Sequence, residues 1–149
     1  QSNPLFVPIS QGYYGGGMMN GSFELTMNDK LFVIESDIIK NIAINESAVI
    51  VGRCSNVVLA GMPHVLNVFI HAPMEERVKR IMERRGLDEK KAAEEIKKVD
   101  KKRAQYFDFY TGKKWGDPLE YHVSLSSSLG INAIVETLVM LLKSEKFTG

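Results

Sequence analysis

The stretch VLNVFIHAPMEERVKRIMERRGLD, from Val65 to Asp88, decides how the chain folds. Val65 to Ile70 is a short apolar run with Val68-Phe69-Ile70 at its heart. Such a run predicts a strand buried on both faces, as in a parallel sheet. After His71-Ala72-Pro73 the period changes. Val78, Ile81 and Met82 recur at helical spacing and predict a helix with those residues inward. Gly86 ends that helix, and Asp88 caps the next.

Outward from this unit the alternation continues. The helix opened by Asp88 runs to about Tyr110 and stops at Thr111-Gly112. Tyr121 to Leu125 predicts another strand, followed by Ser126-Ser127-Ser128 and Gly130. A last helix carries Ile131, Ile134, Val135, Leu138 and Leu142. Upstream, Asn28 or Asp29 caps a helix whose apolar residues are Leu31, Ile34, Ile38, Ile39 and Ile42, leaving Asp37 to solvent. Ala48-Val49-Ile50-Val51, ended by Gly52, predicts a second doubly buried strand. Ser55 to Ala60 is a short helix closed by Gly61 and Pro63. Strands alternating with helices argue for an α/β sandwich on a mainly parallel sheet. Residues 1–27 differ: five glycines, at 12, 15, 16, 17 and 21, with Pro4 and Pro8, predict an irregular approach segment to a core spanning 28–149. Met18, Met19 and Met27 read as gap-fillers.

Composition narrows the class. The chain has 149 residues, enough for one domain with a real core, and 44% are hydrophobic. Its net charge of +1 gives no reason to expect a nucleic-acid polymer or a membrane surface as partner. One cysteine, Cys54, excludes an internal disulfide framework and suits a reducing, cytoplasmic setting. No apolar run approaches the ~18–20 residues of a membrane span. The histidines at 64, 71 and 122 lack metal-ligand spacing, so no metal site built by the protein is expected.

The charge is unevenly placed. Residues 74–103 hold 12 of the 19 basic residues and 8 of the 18 acids, so this segment carries +4 and the rest −3. Solvated helices laced with ion pairs account for most of these side chains. Arg103 resists that reading. Ala92, Ile96, Val99, Arg103, Tyr106 and Tyr110 follow 4-3-4-3-4 spacing, which predicts an inward Arg103. An inward arginine needs a partner. Asp100, three residues earlier, is one candidate; a phosphate, which suits the guanidinium fork, is the other. Arg53 follows Gly52 at a strand end, where parallel sheets bind ligands. Gly52 lets a substrate or the chain approach closely. Ser126-Ser127-Ser128 either binds a ligand there or caps the last helix. Trp115, Tyr106 and Tyr110 either stack on a base or pack within the protein. No order of Ser, His and Asp suggests a hydrolase.

In sequence order these pieces resemble the cytidylate kinase-like family of bacterial proteins, relatives of cytidylate kinase among the P-loop nucleoside-monophosphate kinases. The matching segments are Asn28-Asp29-Lys30-Leu31-Phe32, Val51-Gly52-Arg53-Cys54, Val68-Phe69-Ile70-His71-Ala72-Pro73, and Asp100-Lys101-Lys102-Arg103 with Tyr106. Thr111 to Pro118 and Tyr121 complete the set. The resemblance covers roughly residues 28–145. It implies a three-layer α/β/α sandwich with a helical lid at about 84–115. It also implies phosphoryl transfer from ATP with Mg²⁺ to a nucleoside monophosphate or similar small acceptor. In cytidylate kinases Gly-Arg-Asp follows the corresponding strand and its arginine holds the nucleotide. Gly52-Arg53 matches, and Cys54 replaces the Asp. Their lid carries Arg-x-x-Arg-Asp-x-x-Arg. Asp100 and Arg103 match its last Asp and Arg, whereas Ile96 and Val99 replace the first two arginines. The resemblance therefore assigns the acceptor to Arg53 and Gly52. It assigns the transferring phosphate to Arg103, Arg84 and Lys102. Asp100 is to orient Arg103 or bind the acceptor's sugar.

One departure is large. A P-loop kinase holds ATP with Gly-x-x-x-x-Gly-Lys-[Ser/Thr]. Gly15-Gly16-Gly17 is followed by Met18-Met19, and the one Gly-Lys pair is Gly112-Lys113. In the family the phosphate loop and a central strand lie upstream of the matching region. The expectation is a chain without that N-terminal strand and loop, a piece of a longer protein or a form stabilised by self-association. A non-catalytic nucleotide- or protein-binding module is the alternative function.

Overall fold

A parallel pair of strands, joined by two helices in sequence, organises the computed structural model, which describes residues 26–144 and Phe147. The elements are α1 (Met27–Asn45), α2 (Ser55–Val58), β1 (Val68–His71), α3 (Met74–Arg85), α4 (Glu89–Thr111), β2 (Val123–Ser126) and α5 (Ile131–Leu142), with short 3-10 turns at Pro118–Glu120 and Ser127–Leu129. β1 pairs with β2 from Val68 opposite Val123 to His71 opposite Ser126. The architecture is α/β, with a two-stranded parallel sheet and five helices among the described residues. None of those helices is long and apolar enough to cross a membrane.

Local chemistry sets the element ends. Asp88 caps α4 by accepting the Lys91 N–H at 2.8 Å, and that bond lowers the Asp88 pKa. Gly86 and Gly112 end α3 and α4 at φ 64°, a conformation a Cβ penalises. The predicted cap of α1 moves from Asn28 or Asp29 to Thr26. Thr26 Oγ1 accepts the Asp29 N–H, and Asp29 Oδ2 accepts the Thr26 N–H at 3.0 Å. This reciprocal box satisfies both free ends at once. The proposed boundary between residues 27 and 28 thus falls inside the first turn of α1. The Gly-rich segment up to residue 25 lies outside the described residues.

The core between α3 and α4 forms as the periodicity predicts. Val78, Ala92 and Ile96 are buried, with Ile81, Met82, Leu87 and Ala93 packed against them. Both strands are displaced from their predicted bounds, to 68–71 and 123–126. Pairing starts only where Asn67 C=O accepts the His122 N–H at 2.8 Å, so Val65 and Tyr121 stay outside the ladder.

Several expectations of burial fail: β1 itself is only half-buried at Val68 and Phe69 and exposed at Ile70 and His71. Ala48–Val51 is irregular rather than a doubly buried strand, and Val49 and Val51 are 93% and 86% exposed. Its residues favour a strand, but a strand is stable only when its backbone has a partner. Among the described residues none pairs with it. The apolar stripe of α1 is likewise only partly covered: Ile39 is buried, whereas Leu31, Ile34 and Ile38 are exposed. On α5, Ile131 and Val135 are exposed too.

Ile96 joins the two helices through a well-packed contact. Ile96→Ala should lower unfolding free energy by about 2–4 kcal/mol. Urea denaturation followed by circular dichroism checks this.

Candidate functional site

An arginine-lined cleft lies between α3 and α4. Arg77, Arg80 and Arg84 stand at i, i+3 and i+7 on α3, which puts them on one helical face. Together with Arg85 and Arg103 they line a cavity of about 330 Å³, floored by Ile81, Ile96 and Val99. Glu95 is the one acid in that lining.

The charges in the cleft are tied down to different degrees. Arg77 donates from Nη1 to Asp100 Oδ2 at 2.7 Å and from Nη2 to Asp100 Oδ1 at 2.8 Å. This bidentate pair raises the Arg77 pKa, chiefly through the hydrogen bonds to Asp100. Arg85 pairs with Glu95. Arg103 stands 3.9 Å from Asp100 Oδ1, and its side chain is 62% exposed. Arg80 donates to the Ser127 hydroxyl at a long 3.4 Å. Arg84 makes no ion pair among the described residues. Five guanidinium groups thus face two carboxylates, a net charge of +3, with Arg80 and Arg84 lacking an acid and Arg103 held only by a loose 3.9 Å ion pair.

The inward placement of Arg103 is therefore corrected. Ala92 and Ile96 are buried, and Val99, Tyr106 and Tyr110 are half-buried, but Arg103 is exposed. A guanidinium at a stripe's edge keeps its head in water while its stem follows the apolar face. Asp100 pairs with Arg103 only loosely, at 3.9 Å, and bidentately with Arg77, from 23 residues upstream.

Arg53 belongs to a second cluster, between α1 and α4. Gly52, Arg53 and Cys54 all have positive φ, at 76°, 54° and 56°. Gly52 has open space where a Cβ would stand. Two successive non-glycine residues in this region carry strain. Burial of Cys54 anchors the turn from within. Arg53 Nε lies 3.5 Å from Glu35 Oε1, and its guanidinium sits over the Tyr106 ring at 5.9 Å. The Tyr106 hydroxyl and then the Glu35 carboxylate raise the Arg53 pKa. The Tyr106 hydroxyl donates to Glu35 Oε2 at 3.4 Å. Phe32 stacks on Tyr110 at 4.1 Å, closing the cluster.

The two clusters adjoin along α4. Arg103 and Tyr106 are three residues, or about 4.5 Å of helix axis, apart. Of the residues singled out in the sequence, Arg84 and Arg103 share the cleft, and Asp100 borders it through Arg77. Arg53 and Gly52 sit beyond Tyr106. Lys102 is exposed and does not line the cleft. Sequence reasoning missed Arg77, Arg80 and Arg85. The 3-and-4 spacing of arginines on α3 was the available signal, obscured by lysines and glutamates of the same helices.

The remaining aromatic and polar candidates are engaged inside the protein. Trp115 meets Phe69 of β1 edge-on at 5.8 Å. Ser126 accepts the Ser128 N–H at 3.3 Å, and Ser128 donates to Glu76 at 2.7 Å, tying the turn after β2 to α3. A larger cavity, about 490 Å³, opens at the other end of the strands, beside Asn67 and His122. It contains none of the arginines. The excess positive charge is in the smaller cleft. No group of His, Cys, Asp or Glu suited to a metal ion occurs among the described residues.

The sequence pattern of the cytidylate kinase-like family matches residues 7–129. A crystal structure of an uncharacterized protein from Eubacterium ventriosum ATCC 27560 is similar in fold, with 31% identity and a TM-score of 0.75. The match covers 80% of this chain and 76% of that one. No curated protein matches the chain.

Cys54 offers a check on the Arg53 turn. Burial pushes its thiol up to about 11. The folded state therefore holds the thiol proton more tightly than the unfolded state. This stability is present below the ordinary thiol range and is lost as pH rises through about 11. At pH 8 the native thiolate fraction is roughly 0.1%. Native protein should react with a disulfide reagent on the order of a hundredfold slower than urea-unfolded protein. Equal rates at pH 8 would show the turn to be open.

Proposed function

The chain belongs to the cytidylate kinase-like family, and from that premise we propose that it acts in phosphoryl transfer from ATP to a nucleoside monophosphate or similar small acceptor. The observation that carries this reading is the arginine cleft, where five guanidinium groups face two carboxylates and Arg80 and Arg84 have no acid. Phosphate oxygens suit such forks, because two parallel N–H···O bonds match their geometry. Under this reading Arg84 and Arg103 contact the transferring phosphate, with Arg80 beside them and Lys102 adding exposed charge nearby. Arg53, braced by Glu35 and Tyr106, holds the acceptor on the far side of Tyr106, where Gly52 leaves room for close approach.

Catalysis of this class is mostly positioning and charge stabilisation. Fixed guanidinium groups stabilise the charge on the transferred group's oxygens without reorganising. Closure of the helical lid at about 84–115 brings Arg84 and Arg103 in and excludes water. The proposed whole architecture is the three-layer P-loop kinase sandwich, in which the exposed Val49 and Val51 lie inside a larger sheet. The cleft fits nucleotide phosphates. The described residues do not fit a protein-held Mg²⁺: they contain no suitable cluster, and the two carboxylates at the cleft are committed to Arg77 and Arg85. No step here is routed through the ion.

A second reading is a module that binds nucleotide without transferring phosphate. It is favoured by one observation, that the 149 residues contain no Gly-x-x-x-x-Gly-Lys-[Ser/Thr]. Separate calorimetric titrations with CMP and ATP discriminate the two. Transfer requires that both bind, and that an Arg84→Ala/Arg103→Ala variant lose at least tenfold in affinity. CMP binding without ATP binding supports the module. Binding of neither nucleotide overturns both readings.

A further inference from the structure

Asp100 is one carboxylate within reach of two arginines, and the geometry divides it unequally. Arg77 takes both oxygens, at 2.7 and 2.8 Å, from α3. Arg103, one turn along α4, is left at 3.9 Å from Oδ1. Arg103 is the closer of the two in sequence, and i,i+3 pairs on a helix form readily. It would bind Asp100 if that carboxylate were free. A carboxylate has about four lone-pair sites; the bidentate fork of Arg77 takes the direct hydrogen bonds here, and Arg103 is left with a loose ion contact at 3.9 Å.

We infer that Arg77 is a positioning residue: by taking the direct hydrogen bonds of Asp100 it leaves Arg103 only loosely held there, able to turn to an anion in the cleft. This rests on the reading of the cleft as a phosphate site. It adds a division of labour among the arginines that the sequence pattern alone does not carry. Arg77 makes no contact with the transferring group. Its side chain is 29% exposed, against 62% for Arg103, which fits a supporting and a contacting role respectively. The arrangement also carries a specific consequence. Without Arg77, Arg103 swings to Asp100, so the loss of one arginine silences two.

The experiment is a double-mutant cycle on the full chain, read in two ways. The first reading is affinity for inorganic tripolyphosphate at fixed salt. Arg103→Met in the wild-type background should weaken binding about tenfold. In an Arg77→Met background the same substitution should change it less than twofold, because Arg103 is already withdrawn. Purely electrostatic roles would instead multiply, and that result overturns the inference. The second reading needs no ligand. In arginine-¹⁵N-labelled protein, the Arg103 Nε–H resonance, assigned by its loss in Arg103→Met, should move in Arg77→Met. It should return towards its wild-type position when Asp100→Asn is added. An unmoved resonance overturns the inference. If wild-type protein fails to bind tripolyphosphate, the phosphate reading of the cleft falls, while the resonance still decides whether Arg77 governs Arg103. If Arg77→Met does not fold, Arg77→Lys carries the same measurements. Its single-point contact leaves one Asp100 oxygen to Arg103, and the resonance should move in the same direction.

Discussion

Arg77 reaches from α3 across to α4 and closes both oxygens of Asp100 in a single fork, and the functional surface of the protein is built around that contact. The pair is partly buried, at 29% and 22% exposure of the two side chains. It falls between exposed ion pairs, worth about 0–1 kcal/mol, and buried ones, where removing a partner costs about 3–5 kcal/mol. Its main effect is geometric. It fixes the two helices face to face above the Val78, Ala92 and Ile96 core, and it decides which arginines remain available.

The consequences run along α4. Asp100 is spent on Arg77, Arg103 follows one turn later at the mouth of the cleft, and Tyr106 follows another turn on beneath Arg53. One helix thus carries the proposed phosphate contact, Arg103, and the ring of Tyr106 beneath the proposed acceptor contact, Arg53. The turn bearing Arg53 is held in left-handed backbone by burial of Cys54 below it. In the family's relatives with Gly-Arg-Asp, a carboxylate stands at that place. Here an apolar thiol fills it, which turns the third residue of the motif from a polar group into an anchor. The turn after β2 is tied to α3 through Ser128 and Glu76, so the strand end and the arginine cleft form one connected structure.

Exposed apolar surface marks where the described residues leave the chain's chemistry incomplete. Val49 and Val51 have strand-forming side chains and no strand beside them, and the outer stripes of α1 and α5 are in the same condition. A parallel sheet normally has both faces covered. The two paired strands are a small part of what such a sheet requires.

The sequence by itself determined the helices and their ends. Asp88, Gly86 and Gly112 act within one or two turns of their own position, and the spacing of Val78, Ile81 and Met82 depends only on the helical repeat. It also supplied Gly52-Arg53 and Asp100-x-x-Arg103, the residues that carry the family resemblance. Only the tertiary structure decided how those residues are used. Whether Arg103 faced inward depended on what stood opposite Asp100. That proved to be Arg77, 23 residues away and invisible to any local pattern. Whether Ala48–Val51 was a strand depended on a neighbour to pair with, since an isolated strand cannot satisfy its own backbone. A helix closes its hydrogen bonds within itself, so its sequence suffices. A strand, an ion pair or a charged cleft is completed by a distant segment, and only the fold brings that segment near.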